Sequence, residues 1–510
     1  MYQLTIPLEE NTGLPLYMQI CEHIRAEMKS GAIPAYTRLP STRKLAATLA
    51  VSRSTVQLAY DQLLAEGYLE AEPCRGYYVA DMEGALPFAG MGHGRGGETE
   101  EPGEAEACRE EEDPEDNGGE ALSSIRGDGR SSCGAAGEGQ GSVMICDFSP
   151  AGVDLSCFPY KTWRRLTKEV FSDETGRILS RGMSQGEPGL RQAISEYLHG
   201  ARGVHCEPEQ VVVGAGNEYL LMLLSQILGK REPVAMENPT YFQAYRVLTA
   251  LGHEIVPVPL DGQGMRADLL FKSEARLAYV MPSHQYPTGV VMPIARRMEL
   301  LSWAGKRDGY LIEDDYDSEF RYRGRPVPAL GSVDRQGRVI YLGTFSRAIA
   351  PAIRVSFLVL PGELLKRYRA VCGFYACTVP RADQEVLARF LNSGSFERHL
   401  NRMRNVYREK KEKLSDLLCP LAPDFRIHGD EAGVHILISS EADMSEEEMV
   451  IRAREKGVRV YGLSHHDIGS GAVRRSRGTV IAGFAQLHLA QMEAGARALI
   501  QAWKPQPVRR

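Results

Sequence analysis

Five short segments in the last two-thirds of the chain carry residue types that bind a phosphate and a planar ring. Val211–Leu221 reads VVVGAGNEYLL, a β-branched run, a glycine turn and a helix start. Gly214, Ala215, Gly216 and Asn217 would there present backbone N–H groups at a helix N-terminus, which is a phosphate cradle. Tyr341–Phe357, YLGTFSRAIAPAIRVSF, adds Thr344, Ser346 and Arg354, hydroxyls and a guanidinium suited to a phosphate dianion. Tyr310–Tyr322, YLIEDDYDSEFRY, is a buried-type strand that ends in carboxylates. A buried carboxylate needs a partner, and a protonated ring nitrogen or a core arginine would serve. ENPTYFQAY places Tyr241 either as an aromatic face for a ring or as a core side chain, and PSHQYPTGVVMP (Pro282–Pro293) is a Pro/Gly loop after a strand.

A second constellation lies near the N-terminus. In Leu39–Leu69, LPSTRKLAATLAVSRSTVQLAYDQLLAEGYL, Ser41 can cap a helix running through Lys44 to Leu49. Val51–Ser52 makes a turn, Ser52 can cap a second helix from Arg53 to about Glu66, and Gly67 ends it. Two helices on a tight turn form a helix-turn-helix, whose second helix enters the major groove N-terminus first. Arg53, Ser54 and Thr55 stand at that N-terminus, where hydroxyls, a guanidinium and helix N–H groups suit phosphates and base edges. GYLEAEPCRGYYVA follows as two short strands around Arg75–Gly76, a β-wing. Residues 1–80 hold seven Lys/Arg against eight Asp/Glu, so no overall basic excess marks this part. The basic residues Arg38, Arg43, Lys44, Arg53 and Arg75 nonetheless fall on the elements that would meet DNA.

Three regions must position these residues. Residues 1–80 are compact and helix-rich; 81–144 are Gly-, Glu-, Asp-, Pro- and Ser-rich; 145–505 are globular again. The middle stretch holds too little apolar surface to offset its ordering entropy, so it reads as a disordered acidic linker. In the third region β-branched runs alternate with helical patterns, which predicts an α/β domain with a mostly parallel sheet. FERHLNRMRNVYREKKEKLSDLL, from about residue 390 onward, opens a smaller C-terminal α/β subdomain. The apolar content of 43% and charged content of 25% are those of a globular protein. The net charge of −6 reports poorly on a chain of several domains, because a local basic patch suffices to contact phosphates. Ten scattered cysteines form no CxxC pair and no Cys/His ligand pattern, so no metal site is expected. There is no long apolar run and no basic-then-apolar leader, so the expectation is a cytoplasmic protein with no membrane partner.

The segment from Pro15, PLYMQICEHIRAEMKSGAI, through Val79 resembles the GntR-family winged-helix domain in its PLY-x-QI, LPS-x-R, VSR-x-T-V and EGYL features. By that resemblance Arg43, Arg53, Ser54, Thr55 and Gly76 contact double-stranded DNA. The C-terminal segments, in order and spacing, resemble a fold-type I pyridoxal-phosphate aminotransferase, and GEPGLRQAISEYLHGARGVHCEPEQVVVGAG matches the run into its cofactor loop. The whole arrangement is similar to the MocR/GabR subfamily of GntR regulators. The resemblance implies that Ala215, Gly216 and Asn217 hold the phosphate of pyridoxal 5′-phosphate, with Ser346 and Arg354 completing that site. It implies that Tyr241 stacks on the pyridine ring, Asp314 pairs with its N–H⁺ and Tyr316 bonds its hydroxyl. Asp314 is preferred to the flanking Glu313 and Asp315 because its distance to Phe320 matches the family motif. The resemblance also implies a head-to-tail homodimer reading paired half-sites.

The chain departs from the family pattern at one decisive place. The motif G-T-F-S-K ends in the lysine that forms the Schiff base, whereas this chain reads Gly343-Thr344-Phe345-Ser346-Arg347. A guanidinium stays protonated and is a poor amine nucleophile and a poor base. No internal aldimine is therefore expected at Arg347. Arg181 stands where the family often has an aromatic residue. The substrate-carboxylate arginine near TVIAGFAQL has three candidates, Arg474, Arg475 and Arg477, of which Arg477 is preferred. Two readings of the pocket stay open: pyridoxal phosphate held noncovalently or as an external aldimine with an amino-acid-type effector, or a different anionic ligand that uses Arg347. The expected function is a DNA-binding transcription regulator with an aminotransferase-like sensor and no turnover. The alternative is a pyridoxal-phosphate aminotransferase with an appended DNA-binding domain.

Overall fold

The computed structural model describes residues 6, 15–29, 32–49, 51–66, 68–72, 76–80, 144–173, 175–229, 231–322, 328–429, 432–469 and 478–504. The expected linker 81–144 except its last residue, Gly67, Arg75 and the three candidate arginines at 474, 475 and 477 lie outside them.

The N-terminal head is built by its caps. Ser41 adopts extended backbone and accepts from Lys44 N, which starts the helix Thr42–Thr48. Ser52 does the same for Thr55 N and starts Arg53–Ala65. Such caps satisfy helix N–H groups that have no partner within the helix. Ile20 and Ile24 of the first helix (Leu16–Lys29) pack on Leu45, Val56, Tyr60 and Leu63. The strands Leu69–Glu72 and Gly76–Val79 pair antiparallel, with Glu72 opposite Gly76 at the wing tip. The head seats on the effector domain through the same core. Ile294, first residue of the helix Ile294–Arg307, joins that apolar cluster, and its N–H donates to the Glu66 carbonyl at 3.1 Å.

The effector domain is organised on an eight-stranded sheet. Its spatial order is Val211–Gly214, Ser356–Val359, Val339–Thr344, Tyr310–Asp315, Leu277–Val280, Val234–Asn238, Ile255–Asp261 and Gly264–Met265. The five strands from Val339–Thr344 to Ile255–Asp261 run parallel, and the others pair antiparallel at the edges. The parallel core explains the uninterrupted apolar runs in the sequence, because helices cover both faces. Strand alternation divides the side chains: Val211 and Val213 enter one core, and Val212 enters the other. The smaller subdomain has a four-stranded antiparallel sheet in the order Phe425–His428, His435–Ser440, Thr479–Gly483 and Tyr461–Gly462. The 24-residue helix Ser395–Leu418 packs against it through Met403, Tyr407 and Leu414. The chain enters the effector domain through this subdomain, since Cys146–Asp147 pairs with Val458–Arg459.

Candidate functional site

The site forms where the parallel strands end. In an open α/β sheet the carboxyl ends of the strands leave a crevice for ligands. Here the crevice is a cavity of about 300 Å³.

The strand Tyr310–Asp315 sends its three terminal carboxylates to different tasks. Glu313 accepts backbone N–H bonds from Leu330 at 2.6 Å and Gly331 at 2.8 Å. Asp315 is buried in an ion pair with Arg202 at 2.6 Å and also accepts from Ser318 and Tyr341. Asp314, on the opposite face by strand alternation, lines the cavity. Tyr279 donates its phenolic hydrogen to Asp314, and Asn217 Nδ2 lies 3.4 Å away. Burial pushes the Asp314 carboxyl up to about 7, against the pull of the Tyr279 and Asn217 hydrogen bonds. A cationic N–H would be a strong partner for such a group.

Of the residues expected to hold a phosphate, the structure brings Gly216, Asn217, Ser346 and Arg354 to one cavity wall. Gly216 has φ +98°, and a Cβ there would sit 2.2 Å from Arg354 Nη2. The first helical bond is Leu220 N to Gly216 O, so the N–H groups of Asn217, Glu218 and Tyr219 belong to the open first turn. Ala215 does not join the cavity wall: its N–H donates to Thr378 Oγ1 at 2.9 Å and its side chain packs on the sheet core. Ser346 lines the cavity, and its buried Oγ has no partner among the described residues. Arg354 faces Glu218, with Nη2 to Oε2 at 2.8 Å. Glu218 is thus a carboxylate beside the expected phosphate, which the sequence reading passed over.

Aromatic residues close the other walls. Tyr241 and Tyr286 meet edge to face at 6.0 Å between centroids. The Tyr316 oxygen lies 3.0 Å from His284 Nδ1, which lies 2.9 Å from Asp317 Oδ2. A carboxylate can only accept, so Nδ1–H donates to Asp317 and the Tyr316 hydrogen stays available to a ligand. His284, Asp317, Tyr279 and Tyr286 were not singled out from the sequence. His284 and Tyr286 lie in PSHQYPTG, whose polar pair inside a Pro/Gly loop was the available signal. Arg347 also lines the cavity, and its Nη1 donates to the carbonyls of Pro150 at 3.0 Å and Gly152 at 3.5 Å.

On the head, Arg43, Arg53 and Ser54 are exposed and Thr55 is half-buried. The Ser52 hydroxyl lies 2.7 Å from Ser54 Oγ and 2.8 Å from Thr55 Oγ1, which orders the hydroxyls at the recognition-helix N-terminus. Gly76 has φ +116° and lies under the exposed Arg38 guanidinium. Among the described residues no helix is long and apolar enough to cross a membrane, and no His/Cys/Asp/Glu group could hold a metal ion.

A capped helix-turn-helix with a wing, joined to an α/β domain with a cavity at the carboxyl ends of its parallel strands, defines a DNA-binding regulator built on an aminotransferase frame. The comparisons agree. Residues 154–483 match the aminotransferase class I and II family, and residues 16–79 match the gntR family of bacterial regulatory proteins. The chain belongs to the GntR-type transcription regulators that carry an aminotransferase domain, the MocR/GabR subfamily. It is 34% identical over 98% of both chains to the HTH-type transcriptional regulator YdeL of Bacillus subtilis. It is 34% identical to "Probable rhizopine catabolism regulatory protein MocR" of Rhizobium meliloti, over 90% of this chain and 88% of that one. It is 30% identical to the pyridoxine biosynthesis regulator PdxR of Corynebacterium glutamicum, over 91% of each. Among solved structures, a kynurenine aminotransferase of Pyrococcus horikoshii, crystallised with PMP, superimposes with a TM-score of 0.64 at 25% identity. That match covers 71% of this chain and 91% of the other.

Proposed function

We propose that this regulator binds pyridoxal 5′-phosphate, or a close relative of it, without a covalent bond to the chain, and that the cavity is its sensing site. Arg347 carries the reading, because it occupies the position from which the family's lysine reaches the cofactor. The rest of the cavity fits the group. Ser346 Oγ is a buried hydroxyl without a partner among the described residues, Gly216 leaves the cradle open, and Asp314 is a buried carboxyl suited to a cation. Gly216, Asn217, Ser346 and Arg354 would hold the phosphate, Tyr241 would cover the ring, and Tyr316 would donate to its hydroxyl. Ala215 would contribute only its backbone shape. When bound, the cofactor supplies an electrophilic aldehyde on an electron-withdrawing ring. The chain binds and orients it but brings no lysine to position 347 to move a proton, so regulation rather than turnover is the assigned role.

The domain division 1–80, 81–144 and 145–505 belongs to this reading. So does a homodimer whose heads bind two DNA half-sites through Arg43, Arg53, Ser54, Thr55 and the wing at Gly76. An amino-acid-type effector is the remaining ligand, with Arg477 as its expected contact.

Borohydride reduction followed by intact mass measurement tests the binding mode. Saturable cofactor binding with no mass gain is expected for the native chain, and a mass gain is expected for Arg347→Lys. A covalent adduct on the native chain overturns the noncovalent mode, and no saturable binding overturns the cofactor reading.

A further inference from the structure

The cavity contains two guanidinium groups in unlike situations. Arg354 is neutralised by Glu218 at 2.8 Å. Arg347 is half-buried and forms no ion pair with a described carboxylate. Its Nη1 is engaged by two neutral carbonyls, Pro150 O at 3.0 Å and Gly152 O at 3.5 Å, while Nε and Nη2 donate to no described residue. The two carboxylates that share its cavity have other partners, Asp314 with Tyr279 and Asn217 and Glu218 with Arg354. Burial pushes the Tyr241, Tyr286 and Tyr316 phenols up and His435 down to about 3; the Arg347 charge opposes the first shifts and adds to the last. A guanidinium cannot shed its proton to escape burial, so its charge asks for an anion. The two free nitrogens form the edge that matches a carboxylate bidentately.

We propose that Arg347 forms a carboxylate subsite, so that the cavity binds a phosphopyridine together with a carboxylate held on Nε and Nη2. The carboxylate has two sources of the same chemistry. It can be borne by the ring itself at the carbon that carries the aldehyde in pyridoxal phosphate, or it can belong to a separate amino acid beside the ring. This rests on the proposal that the cavity holds a phosphopyridine.

The test varies the charge at that one carbon on the full-length protein. Titration calorimetry would compare pyridoxamine 5′-phosphate (cationic there), pyridoxine 5′-phosphate (neutral) and 4-pyridoxic acid 5′-phosphate (anionic). A second arm adds L-alanine to protein saturated with pyridoxine 5′-phosphate, which has no aldehyde to react. Each arm is repeated with Arg347→Gln. If the ring bears the carboxylate, the native chain prefers the anionic probe to the neutral one by about tenfold to a hundredfold, the worth of a charge-assisted hydrogen-bond pair. In Arg347→Gln that preference disappears and the cationic probe binds more tightly than to the native chain. If the carboxylate comes from an amino acid, L-alanine binds the saturated native chain and loses at least about tenfold in Arg347→Gln. Because one ligand weakens while another strengthens, misfolding of the variant cannot imitate the first result, and retained pyridoxine 5′-phosphate binding guards the second. Neutral-probe binding to the native chain with no Arg347-dependent carboxylate effect in either arm overturns the subsite alone. Failure of all three phosphopyridines on the native chain overturns the cofactor reading, and the subsite falls with it.

Discussion

Replacing Asp314 with Asn should stabilise the ligand-free protein above neutral pH while weakening its hold on a phosphopyridine. Burial raises this carboxyl from 3.8 to about 7. The sign follows from linkage: the folded chain keeps the proton to higher pH than the unfolded chain does. The resulting stabilisation is complete below about pH 4, declines as pH rises from about 4 to about 7, and is gone above that. At about 1.4 kcal/mol per pKa unit, ionising Asp314 in the empty pocket costs about 4 kcal/mol. Asparagine carries no charge at any pH and can still accept from Tyr279. Chemical denaturation of native and Asp314→Asn chains at pH 4, 6 and 8 would read the difference, in which the neighbouring carboxyls common to both cancel. Little difference is expected at the lowest pH and an advantage to the variant of up to about 4 kcal/mol at the highest. Affinity for pyridoxine 5′-phosphate should move the other way, falling at least about tenfold, because the ring N–H⁺ loses its charged acceptor. A stability difference that stays flat with pH, or an asparagine variant that binds as tightly as the native chain, would refute the assignment.

Glu218→Gln should raise affinity for pyridoxine 5′-phosphate severalfold, since Glu218 competes for Arg354 at 2.8 Å and repels a dianion; a fall measured by fluorescence titration would show instead that Glu218 aims Arg354 at the ligand. Arg53→Ala should weaken DNA binding across sequences and lower the slope of log affinity against log salt by about one, the loss of a single phosphate contact. An unchanged slope in anisotropy titrations, with sequence preference lost, would move Arg53 from a phosphate to a base edge.

What the sequence made legible was local. Ser41 and Ser52 announce their helices because a cap needs only a hydroxyl and the next three residues, and the wing turn needs only the glycine at 76. The choice of Asp314 rests on its distance to Phe320, and the structure adds the physical reason: in the strand Glu313 and Asp315 share a face, while Asp314 turns to the cavity side. What stayed hidden depends on residues far apart in the chain. Thr378 takes the Ala215 amide from 163 positions away, so Ala215 looked free when it is not. The seat of the head on the effector domain rests on Glu66 O and Ile294 N, backbone atoms that no side-chain pattern marks. Arg347 shows both sides of this division. Its departure from a lysine motif is visible in one residue, and the proposed noncovalent mode of binding starts from that. Its two carbonyl partners stand 197 and 195 positions earlier, where the chain enters the effector domain. Only the fold shows that its other two nitrogens have no acceptor among the described residues. The same substitution therefore reads as a loss in sequence and as an anion-binding edge in structure, and the second reading gives a reason for arginine rather than any other residue at that position.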